Sequence, residues 1–439
     1  MRDIILLLAV SVAALISFRR PYFGIATFSF LGFFSPQSFT WGFARTFPFS
    51  LVVAVGTILG MVAFPERKRL QFERETWMLC LLWAIFGLST INALYPVDAL
   101  ESFIRVSKVL LMIVVATVLV NNEERLQWLI RIIGYSLGFY ALKGGVFAII
   151  TGGTELVYGP EISFLAANNT IGMALAMNIP ILAYLIKTER ISSVRWMARL
   201  MFLLSYPAVI CTYSRGAWLG LLIGTALVAV KSRRIVLVAG IVGVLVVLLQ
   251  AVVPMFAPDR LVTRYDELIN YENEASAQSR FWNWEFCKRV GLARPLIGGG
   301  FNFYRLETYT RFYPEFAARY PGKVWSCHST WLTIFGEHGF PGAIVWLSFI
   351  GLCMSSLRRI RAHAKIDSKY LDFANMVQGS IGIYFVSGTF IDMAYFDLFY
   401  YLLAFVIIQK QLLARIATSS LPKAAGFVIK NPTQLEAAG

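Results

Sequence analysis

Apolar runs of about 15 to 25 residues, separated by short polar connectors, recur along most of the chain. A run of about 20 apolar residues is long enough to cross the hydrocarbon core of a bilayer as a helix. The pattern therefore predicts an all-α polytopic membrane protein of about 12 transmembrane helices (12–13). The predicted segments are 3–17, 21–35, 48–64, 76–92, 104–120, 127–151, 163–187, 196–213, 215–231, 235–255, 329–356, 371–391 and 394–415.

The charges of the connectors predict the orientation of these segments, because connectors rich in Lys and Arg usually face the cytoplasm. PERKRLQFERE at 65–75 and RRIRAHAKIDSK at 358–369 are strongly basic and indicate the cytoplasmic side. TGGTELVYGPE at 151–161 has no Lys or Arg and indicates the opposite side. Two short apolar segments lie within residues 1–35. If both cross the membrane, the chain has thirteen spans and its N-terminus lies outside the cytoplasm. If they merge into one span or form a re-entrant pair, the chain has twelve spans and both termini lie in the cytoplasm, which is the arrangement that we favour.

One connector differs from the others in its length. Residues 256–328 are mostly polar and aromatic, and we predict that they form a large periplasmic loop or cap. Long loops cross the membrane largely regardless of their charge, so the basic residues of this segment do not contradict that side. The chain then divides into N-terminal transmembrane helices (1–255), the cap, C-terminal transmembrane helices (329–415) and a disordered cytoplasmic tail (416–439).

Composition supports a membrane protein over a soluble or nucleic-acid-binding one. Of the 439 residues 57% are hydrophobic and only 15% are charged, and the mean hydropathy is +0.64. The net charge of +15 is divided among the connectors, so we predict no nucleic-acid partner. Cys287 and Cys327 both lie in the cap, where they either form a disulfide or remain free and buried.

Arg215, in the segment TYSRGAWLG, falls between two apolar segments with almost no loop to separate them. A cation there is costly unless it reaches the membrane interface or faces a polar cavity. It is therefore either an interfacial anchor or part of an anion site at the extracytoplasmic membrane surface. For an anion site, Gly216 would permit close approach of a ligand, and the N-terminus of the next helix would add positive potential.

A second candidate cation lies in the cap, in SAQSRFWNWEFCKRVGLARPLIGGGFNFY at 276–304. Ser279 can cap a helix that begins near Arg280, and Trp284 and Lys288 would follow Arg280 on one face. A helix anchored to the membrane surface by its tryptophans explains this pattern without a function. The alternative is that the planar guanidinium of Arg280 binds a phosphate, which arginine does better than lysine.

The segment WSCHSTWLTIFGEHGFPG at 325–342 contains His328 and His338, two of the three histidines of the chain. In a continuous helix the two rings would lie about 80° apart and at different depths, unless the glycines and proline of GEHGFPG break the helix. No acidic cluster or paired cysteines lie nearby, so we predict no metal. A neutral imidazole accepts a proton near pH 7. Beside Arg215 and Arg280 it would suit group transfer from a phosphate ester, whereas a satisfied interfacial histidine is the alternative.

Together these motifs resemble the bacterial O-antigen ligases. The likeness lies in a His followed by Asn, Ser or Gln, then nine residues and Gly-x-x-Gly, here His328-Ser329 and Gly339-Phe-Pro-Gly342. The SRG at 214–216, the pair of Arg280 and Trp284, and PLIGGGFNF at 295–303 are similar to the same ligase and polymerase superfamily. MRDIILLL, RRPYFG, TWGFA, LGFYALKGG and GEHGF resemble a subgroup described as O-glycosylation ligases. The resemblance covers residues 1–415.

The resemblance implies an enzyme of the bacterial inner (cytoplasmic) membrane with its active site facing the periplasm. Such enzymes transfer a glycan from undecaprenyl diphosphate to lipid A–core, and the residues that match Arg215, Arg280 and His328 are essential in them. His338 falls among the nine variable positions and is a secondary candidate. Asp392, in SGTFIDMAYFD, resembles a further polar site only loosely, and we favour an aspartate that faces water at a helix end.

We therefore predict a metal-independent, inverting glycosyltransferase without a cofactor. His328 would be the general base, and Arg215, Arg280 and Lys288 would bind the donor diphosphate. The predicted partners are an undecaprenyl-diphosphate-linked glycan, lipid A–core or another hydroxyl acceptor, and membrane lipids. The alternatives are an O-antigen polymerase or a protein O-oligosaccharyltransferase with the same donor and, more distantly, a lipid-linked glycan transporter. A transporter would need ionisable residues in the middle of its spans, and the predicted segments are nearly free of them.

Overall fold

The structure is a computed structural model that describes residues 1–64, 72–231, 275–365 and 367–420. Within these ranges the regular elements are helices, and no strand occurs. The α-helices are α1 (Arg2–Arg19), α2 (Pro21–Phe34), α3 (Phe49–Ala63), α4 (Arg74–Ile91), α5 (Pro96–Leu119), α6 (Glu123–Ile150), α7 (Asn168–Thr188), α8 (Ser192–Ile210), α9 (Arg215–Lys231), α10 (Ala275–Ala293), α11 (Leu306–Phe312), α12 (Pro314–Arg319), α13 (Thr330–Ala362), α14 (Lys369–Gly388) and α15 (Asp397–Ser420).

Every predicted apolar segment within the described ranges coincides with one helix, while 235–255 lies outside them. Five described helices are long and apolar enough to cross a membrane. These are Pro96–Leu119, Glu123–Ile150, Asn168–Thr188, Thr330–Lys365 and Asp397–Ile416. The shorter apolar helices are Pro21–Phe34, Phe49–Ala63 and Arg215–Leu227. The chain is thus an all-helical multi-pass membrane protein over the residues described, and the number of twelve spans stays a prediction.

The first two apolar segments are separate helices that meet at Arg20. Pro21 begins α2, as expected for a residue whose fixed φ suits the first turn of a helix and whose missing N–H is not needed there. The two segments therefore do not merge into one continuous helix.

The core is built around α15, whose residues 398–408 are all buried, and α7, buried from residue 171 to 182. A buried ion pair joins α15 to α4 and α13. Glu75, only 1% exposed, accepts hydrogen bonds from Lys410 at 2.8 Å and from the Ser356 hydroxyl at 2.5 Å. A buried carboxylate needs such compensation, and these bonds connect the three helices at this point.

Two helices and the tail differ from their predicted extents. Helix α5 begins at Pro96, eight residues before the apolar run 104–120, so Arg105 and Lys108 lie near its middle instead of at its end. The expectation that the spans are nearly free of ionisable side chains is therefore wrong for α5.

Ser279 lies inside α10 and is not its N-cap. Helix α15 continues to Ser420, so the beginning of the predicted tail is helical, and the rest of it lies outside the described residues.

Helix α13 is kinked at Gly339, which has a φ of 63° and a ψ of −162°. The break that GEHGFPG predicts is thus confirmed. A continuous helix would pair the Phe340 N–H with the Gly336 carbonyl, but here Phe340 donates to the Pro295 carbonyl at 2.8 Å. The freed carbonyl of Gly336 accepts a hydrogen bond from the Gly299 N–H at 2.7 Å instead.

The next carbonyl of α13 is satisfied in the same way. Pro341 has no N–H, so the Glu337 carbonyl would have no helical partner. It accepts a hydrogen bond from the Gly300 N–H at 2.9 Å. The segment PLIGGG at 295–300, which we call the glycine segment, therefore satisfies the backbone groups that the kink exposes.

The described part of the cap, residues 275–328, packs around its own small core. Phe286, Val290, Phe303 and Phe316 are buried together there. Cys287 and Cys327 form a disulfide, with their Cα atoms 5.8 Å apart. Of the two alternatives for these cysteines, the structure therefore shows the bonded one, which ties α10 to the residue that precedes His328.

Candidate functional site

The loop between α14 and α15, residues 389–396, connects the elements that carry the predicted site residues. Thr330, in the first turn of α13, donates its hydroxyl to the Ile391 carbonyl at 2.9 Å. Thr333, one turn later, donates to Oδ1 of Asp392 at 2.8 Å. These bonds fix the start of α13, and with it the adjacent His328, against this loop. We call residues 389–396 the α14–α15 loop.

Arg215 lies at the N-terminus of α9 and is only 8% exposed. The next residue, Gly216, accepts a hydrogen bond from the Ser387 hydroxyl at 2.9 Å. A Cβ added at Gly216 would lie 3.2 Å from the Ile391 side chain. The end of α9 that carries Arg215 therefore packs against the C-terminus of α14 and the α14–α15 loop, and a buried arginine at a helix N-terminus concentrates positive charge there.

Arg280, in α10, approaches the same loop from the cap. Its guanidinium carbon lies 5.9 Å from the centre of the Phe390 ring. The Trp284 ring, one turn later, lies 6.0 Å from the same Phe390 ring. The predicted Arg280–Trp284 face therefore packs against the protein at this loop.

His328 directly precedes α13 and has a φ of 48°, a left-handed conformation that is uncommon for a residue with a side chain. Such backbone strain persists only where the surroundings enforce it, and it is frequent at functional sites. Burial lowers the pKa of His328 below its usual value, and the nearby positive charge of Arg280 lowers that pKa further. The imidazole is therefore neutral at pH 7, which is the form that a general base requires.

Lys288 does not join Arg280 and His328. Its ammonium group forms an ion pair with Glu285 at 2.5 Å, and its side chain is half exposed. Two turns of helix separate it from Arg280, a rise of about 12 Å. The face that the sequence assigns to a phosphate therefore contributes Arg280 but keeps Lys288 in a local ion pair.

His338 is fully buried and lies in a chain of polar side chains. Its Nδ1 is 2.5 Å from the Ser89 hydroxyl, and its Nε2 is 2.6 Å from the Tyr395 hydroxyl. Tyr395 in turn donates to Oε2 of Glu337 at 2.5 Å. Both ring nitrogens of His338 thus have protein partners, so this histidine links α4, α13 and the α14–α15 loop.

Glu337 is a site residue that the sequence reasoning missed. It is 2% exposed, and its other carboxylate oxygen accepts hydrogen bonds from the Asn302 N–H at 3.1 Å and the Tyr304 hydroxyl at 3.2 Å. A carboxylate within an apolar helix is expensive and usually functional. Its presence in TIFGEHGF was the signal in the sequence.

Asp392 lies in the α14–α15 loop, where it is half-buried and hydrogen-bonded to the protein. Its carboxylate is bonded by Thr333 and by Ser326, two residues before His328. Burial raises the pKa of Asp392 to about 6, against the opposing effect of these two hydrogen bonds.

Two cavities meet beside these residues. The inner cavity has a volume of about 570 Å³ and reaches from the apolar sides of α2, α3 and α5 to Glu337 and Asp392. The outer cavity has a volume of about 650 Å³ and is lined by Asp98, Glu101, Asn302, Tyr304, Arg305, Leu306, Glu307 and Val324. Because Asn302 and Tyr304 line both cavities, the two adjoin each other there. Among the described residues, no three His, Cys, Asp or Glu side chains cluster as metal ligands would.

Comparison with known families decides what this arrangement belongs to. Residues 200–347 match the family model described as O-antigen ligase. Residues 200–347 therefore form a domain of the O-antigen ligase family. The matched range includes Arg215, Arg280 and His328, and the match confirms the resemblance of this part of the chain to the O-antigen ligases. Residues 1–190 match a family of unknown function, DUF5935. No curated protein matches the chain.

The O-antigen ligase domain indicates a glycosyltransferase-like enzyme. It implies, in general terms, a lipid-linked glycan and a lipid acceptor as substrates. The DUF5935 segment carries α1 to α7, including the α2, α3 and α5 walls of the inner cavity, and the ligase segment carries the kink, His328 and His338.

Proposed function

We propose that the protein transfers O-antigen or a related glycan from undecaprenyl diphosphate to lipid A–core on the periplasmic side of the inner membrane. Arg215 and Arg280 bind the donor diphosphate, and His328 is the general base. Lys288 is left out of the diphosphate site because Glu285 already neutralises it. The disulfide between Cys287 and Cys327 supports a periplasmic cap, since disulfides persist in oxidising compartments.

The reaction is a single displacement. His328 removes the proton of the acceptor hydroxyl, and the oxygen attacks the anomeric carbon of the donor glycan. A new C–O bond forms while the bond between the anomeric carbon and the diphosphate oxygen breaks, which inverts the anomeric configuration. The electron pair leaves with undecaprenyl diphosphate, whose charge the two arginines stabilise. His328 then releases its proton to water.

The observation that carries this proposal is the proximity of Arg280 and His328. A cation that lowers the pKa of the base keeps the imidazole neutral and ready to accept a proton, while the same cation attracts the anionic leaving group. Arg215 lies at the α14–α15 loop that Arg280 also approaches, which supports a shared role for the two arginines.

The test is transfer by purified protein in detergent, with an undecaprenyl-diphosphate glycan as donor and lipid A–core as acceptor. We expect His328→Ala to lower the rate by a factor of about 10² to 10⁴, the usual contribution of a general base. Arg280→Ala should also lose transfer activity. His363→Ala and Lys288→Ala are matched controls, because His363 lies beyond the far end of α13 and Lys288 is in the same helix as Arg280.

Each result has a distinct meaning. Near wild-type transfer by folded His328→Ala would refute the assigned base. Loss of transfer that follows chelation and returns with a divalent cation would refute the metal-independent scheme. A ladder of products from lipid-linked repeat units alone would identify a polymerase, and glycosylated protein would identify a protein acceptor. Turnover in detergent, with no membrane to cross, would exclude a transporter.

A further inference from the structure

Two cations lie in the middle of a membrane-spanning helix and line the inner cavity. Arg105 and Lys108 are the tenth and thirteenth of the 24 residues of α5, so Lys108 lies about 18 Å along the helix from its start. Both side chains are exposed. Arg105 donates a hydrogen bond to the Ser102 hydroxyl at 3.1 Å, whereas Lys108 makes no hydrogen bond or ion pair to the part of the chain that the structure describes. Ionisable side chains at this depth are costly and mark ligand sites.

The walls of the inner cavity are chemically different at its two ends. Phe28 and Leu31 of α2, Leu51 of α3, and Val106 and Val109 of α5 form an apolar wall. At the other end, Asn302 and Tyr304 offer hydrogen-bond donors and acceptors, and Glu337, Asp392 and Asp397 add carboxyl groups. Asp397 is close enough to Arg105 to offset part of its charge, whereas no carboxyl group of the described residues pairs with Lys108. Arg105 and Lys108 contribute positive charge beside the apolar wall, because Val106 and Val109 are their neighbours along the same helix.

The outer cavity, which adjoins the polar end of the inner cavity, has an acidic lining. Asp98, Glu101 and Glu307 make it acidic, and Arg305 partly compensates through its ion pair with Asp98. Carboxylates bind neutral hydroxyl-rich groups well and repel phosphates. A molecule that fits both cavities therefore has an apolar tail, an anionic group near the tail and a neutral polyhydroxylated portion beyond it. That is a phosphate-bearing glycolipid.

We propose that the inner cavity is the binding site of the acceptor, a second phosphate-bearing glycolipid whose phosphate contacts Arg105 and Lys108. This inference rests on the proposed function, which requires two glycan substrates. It adds that the acceptor is lipid-borne and held by α5, because a soluble protein acceptor has no use for cations beside an apolar wall in a membrane-spanning helix.

The acceptor, and not the donor, fits this cavity because of its position relative to the base. None of Arg215, Arg280 and His328 is among the residues that line it. Its polar end nevertheless reaches Thr333 and Asp392, and Asp392 is bonded to Ser326, two residues before His328. A glycolipid in the inner cavity therefore has its polar end beside Asp392 and the α14–α15 loop, against which the start of α13 and the adjacent His328 are held.

Binding is tested without any need for turnover. The protein is placed in phosphatidylcholine nanodiscs, and the affinity for added lipid A is measured for wild type and Lys108→Met, which removes the charge and nearly preserves the length. We expect about tenfold weaker binding in Lys108→Met, and recovery in Lys108→Arg. Lys143→Met is the matched control, because Lys143 is also exposed in a membrane-spanning helix, α6, but does not line the cavity. It should bind lipid A as wild type does.

Two further probes separate the sources of the phosphate. Phosphatidic acid should compete with lipid A more weakly than unlabelled lipid A does, because it lacks the sugar, and inorganic phosphate should not compete. Competition by inorganic phosphate as strong as that by lipid A would mean a simple anion site and overturn the proposal. Equal loss of affinity in Lys108→Met and Lys143→Met would overturn it too.

Kinetics distinguish the acceptor from the donor. In the transfer assay, Lys108→Met should raise the KM for the acceptor about tenfold and leave the KM for the donor unchanged. A raised KM for the donor alone would assign the inner cavity to the donor and refute the inference. If wild type binds lipid A through Lys108 but transfers no glycan to any acceptor, the proposed function fails while the binding site stands.

Discussion

Replacement of Gly298 by alanine tests how the cap is joined to the kinked helix. Gly298 has a φ of +63°, and an added Cβ would lie 2.5 Å from the carbonyl oxygen of Glu337 and from the amide nitrogen of His338. Ordinary contact begins at 3.4 Å, so the glycine segment must move away from α13 by about 0.9 Å. Backbone atoms cannot rotate aside as a flexible side chain would, so the change has to displace the whole segment.

That displacement acts on two hydrogen bonds. The neighbours of Gly298 donate to the Gly336 and Glu337 carbonyls at 2.7 Å and 2.9 Å. A movement of 0.9 Å along these bonds lengthens both beyond about 3.5 Å, where they cease to be hydrogen bonds. Two lost bonds cost about 2 kcal/mol, and a Cβ in the left-handed region adds about 1 kcal/mol. We therefore expect Gly298→Ala to lower the free energy of unfolding by ~3 kcal/mol.

Gly322→Ala is the matched control. Gly322 also lies in the cap with a positive φ, of +75°, but nothing lies within 4 Å of an added Cβ. It should lose only the ~1 kcal/mol of the left-handed conformation. Thermal and denaturant unfolding of both variants in the same detergent measures the difference, and transfer activity should fall in Gly298→Ala alone. Equal midpoints for the two variants would refute the reasoning, because the close approach would then contribute nothing.

Three further predictions concern other parts of the molecule. The charge of Arg280 lowers the pKa of His328, so Arg280→Gln should raise that pKa. As the pH falls, the residual activity of the variant should therefore disappear at a higher pH than the activity of wild type does. A pH–rate profile that stays in the same place would contradict this. Cys287→Ser removes a disulfide that closes a loop of 40 residues. The greater entropy of the unfolded chain should lower the free energy of unfolding by ~4 kcal/mol. Unfolding should then begin at a lower temperature, and a reductant should have the same effect on wild type. Lys410→Met leaves the buried carboxylate of Glu75 without its main partner and should lower the free energy of unfolding by about 3 kcal/mol. Adding Glu75→Gln should restore part of that stability. A double variant that is less stable than Lys410→Met alone would contradict a compensating pair.

The helices could be predicted from the sequence because a membrane-spanning segment needs only local apolar length, which the pattern of residues displays directly. The start of α5 could not, because Pro96 to Phe103 continues the helix beyond the apolar run with acidic and small residues, where hydropathy gives no signal. Hence Arg105 and Lys108 lie at the start of the predicted segment but in the middle of the helix.

The candidate site also contains residues that the sequence predicts and residues that it does not. Arg215, Arg280 and His328 are recognisable because each is an ionisable side chain in an unusual local context. The role of Glu337 depends on Tyr395, 58 positions later, and on Asn302 and Tyr304 of the cap. Asp392 likewise acquires its partners only through tertiary packing with Thr333 and Ser326. No local pattern predicts such distant contacts.

The glycine segment has a consequence for exchanging parts between members of the family. Caps from relatives with other specificities look like modules that could be grafted between α9 and α13. However, the carbonyls of Gly336 and Glu337 accept hydrogen bonds from backbone N–H groups of the cap, so the kink and the glycine segment form a single hydrogen-bonded unit. A graft that ends before residue 329 would join a foreign glycine segment to the native kink. Functional hybrids should therefore require that residues 295–300 and 336–342 come from the same parent.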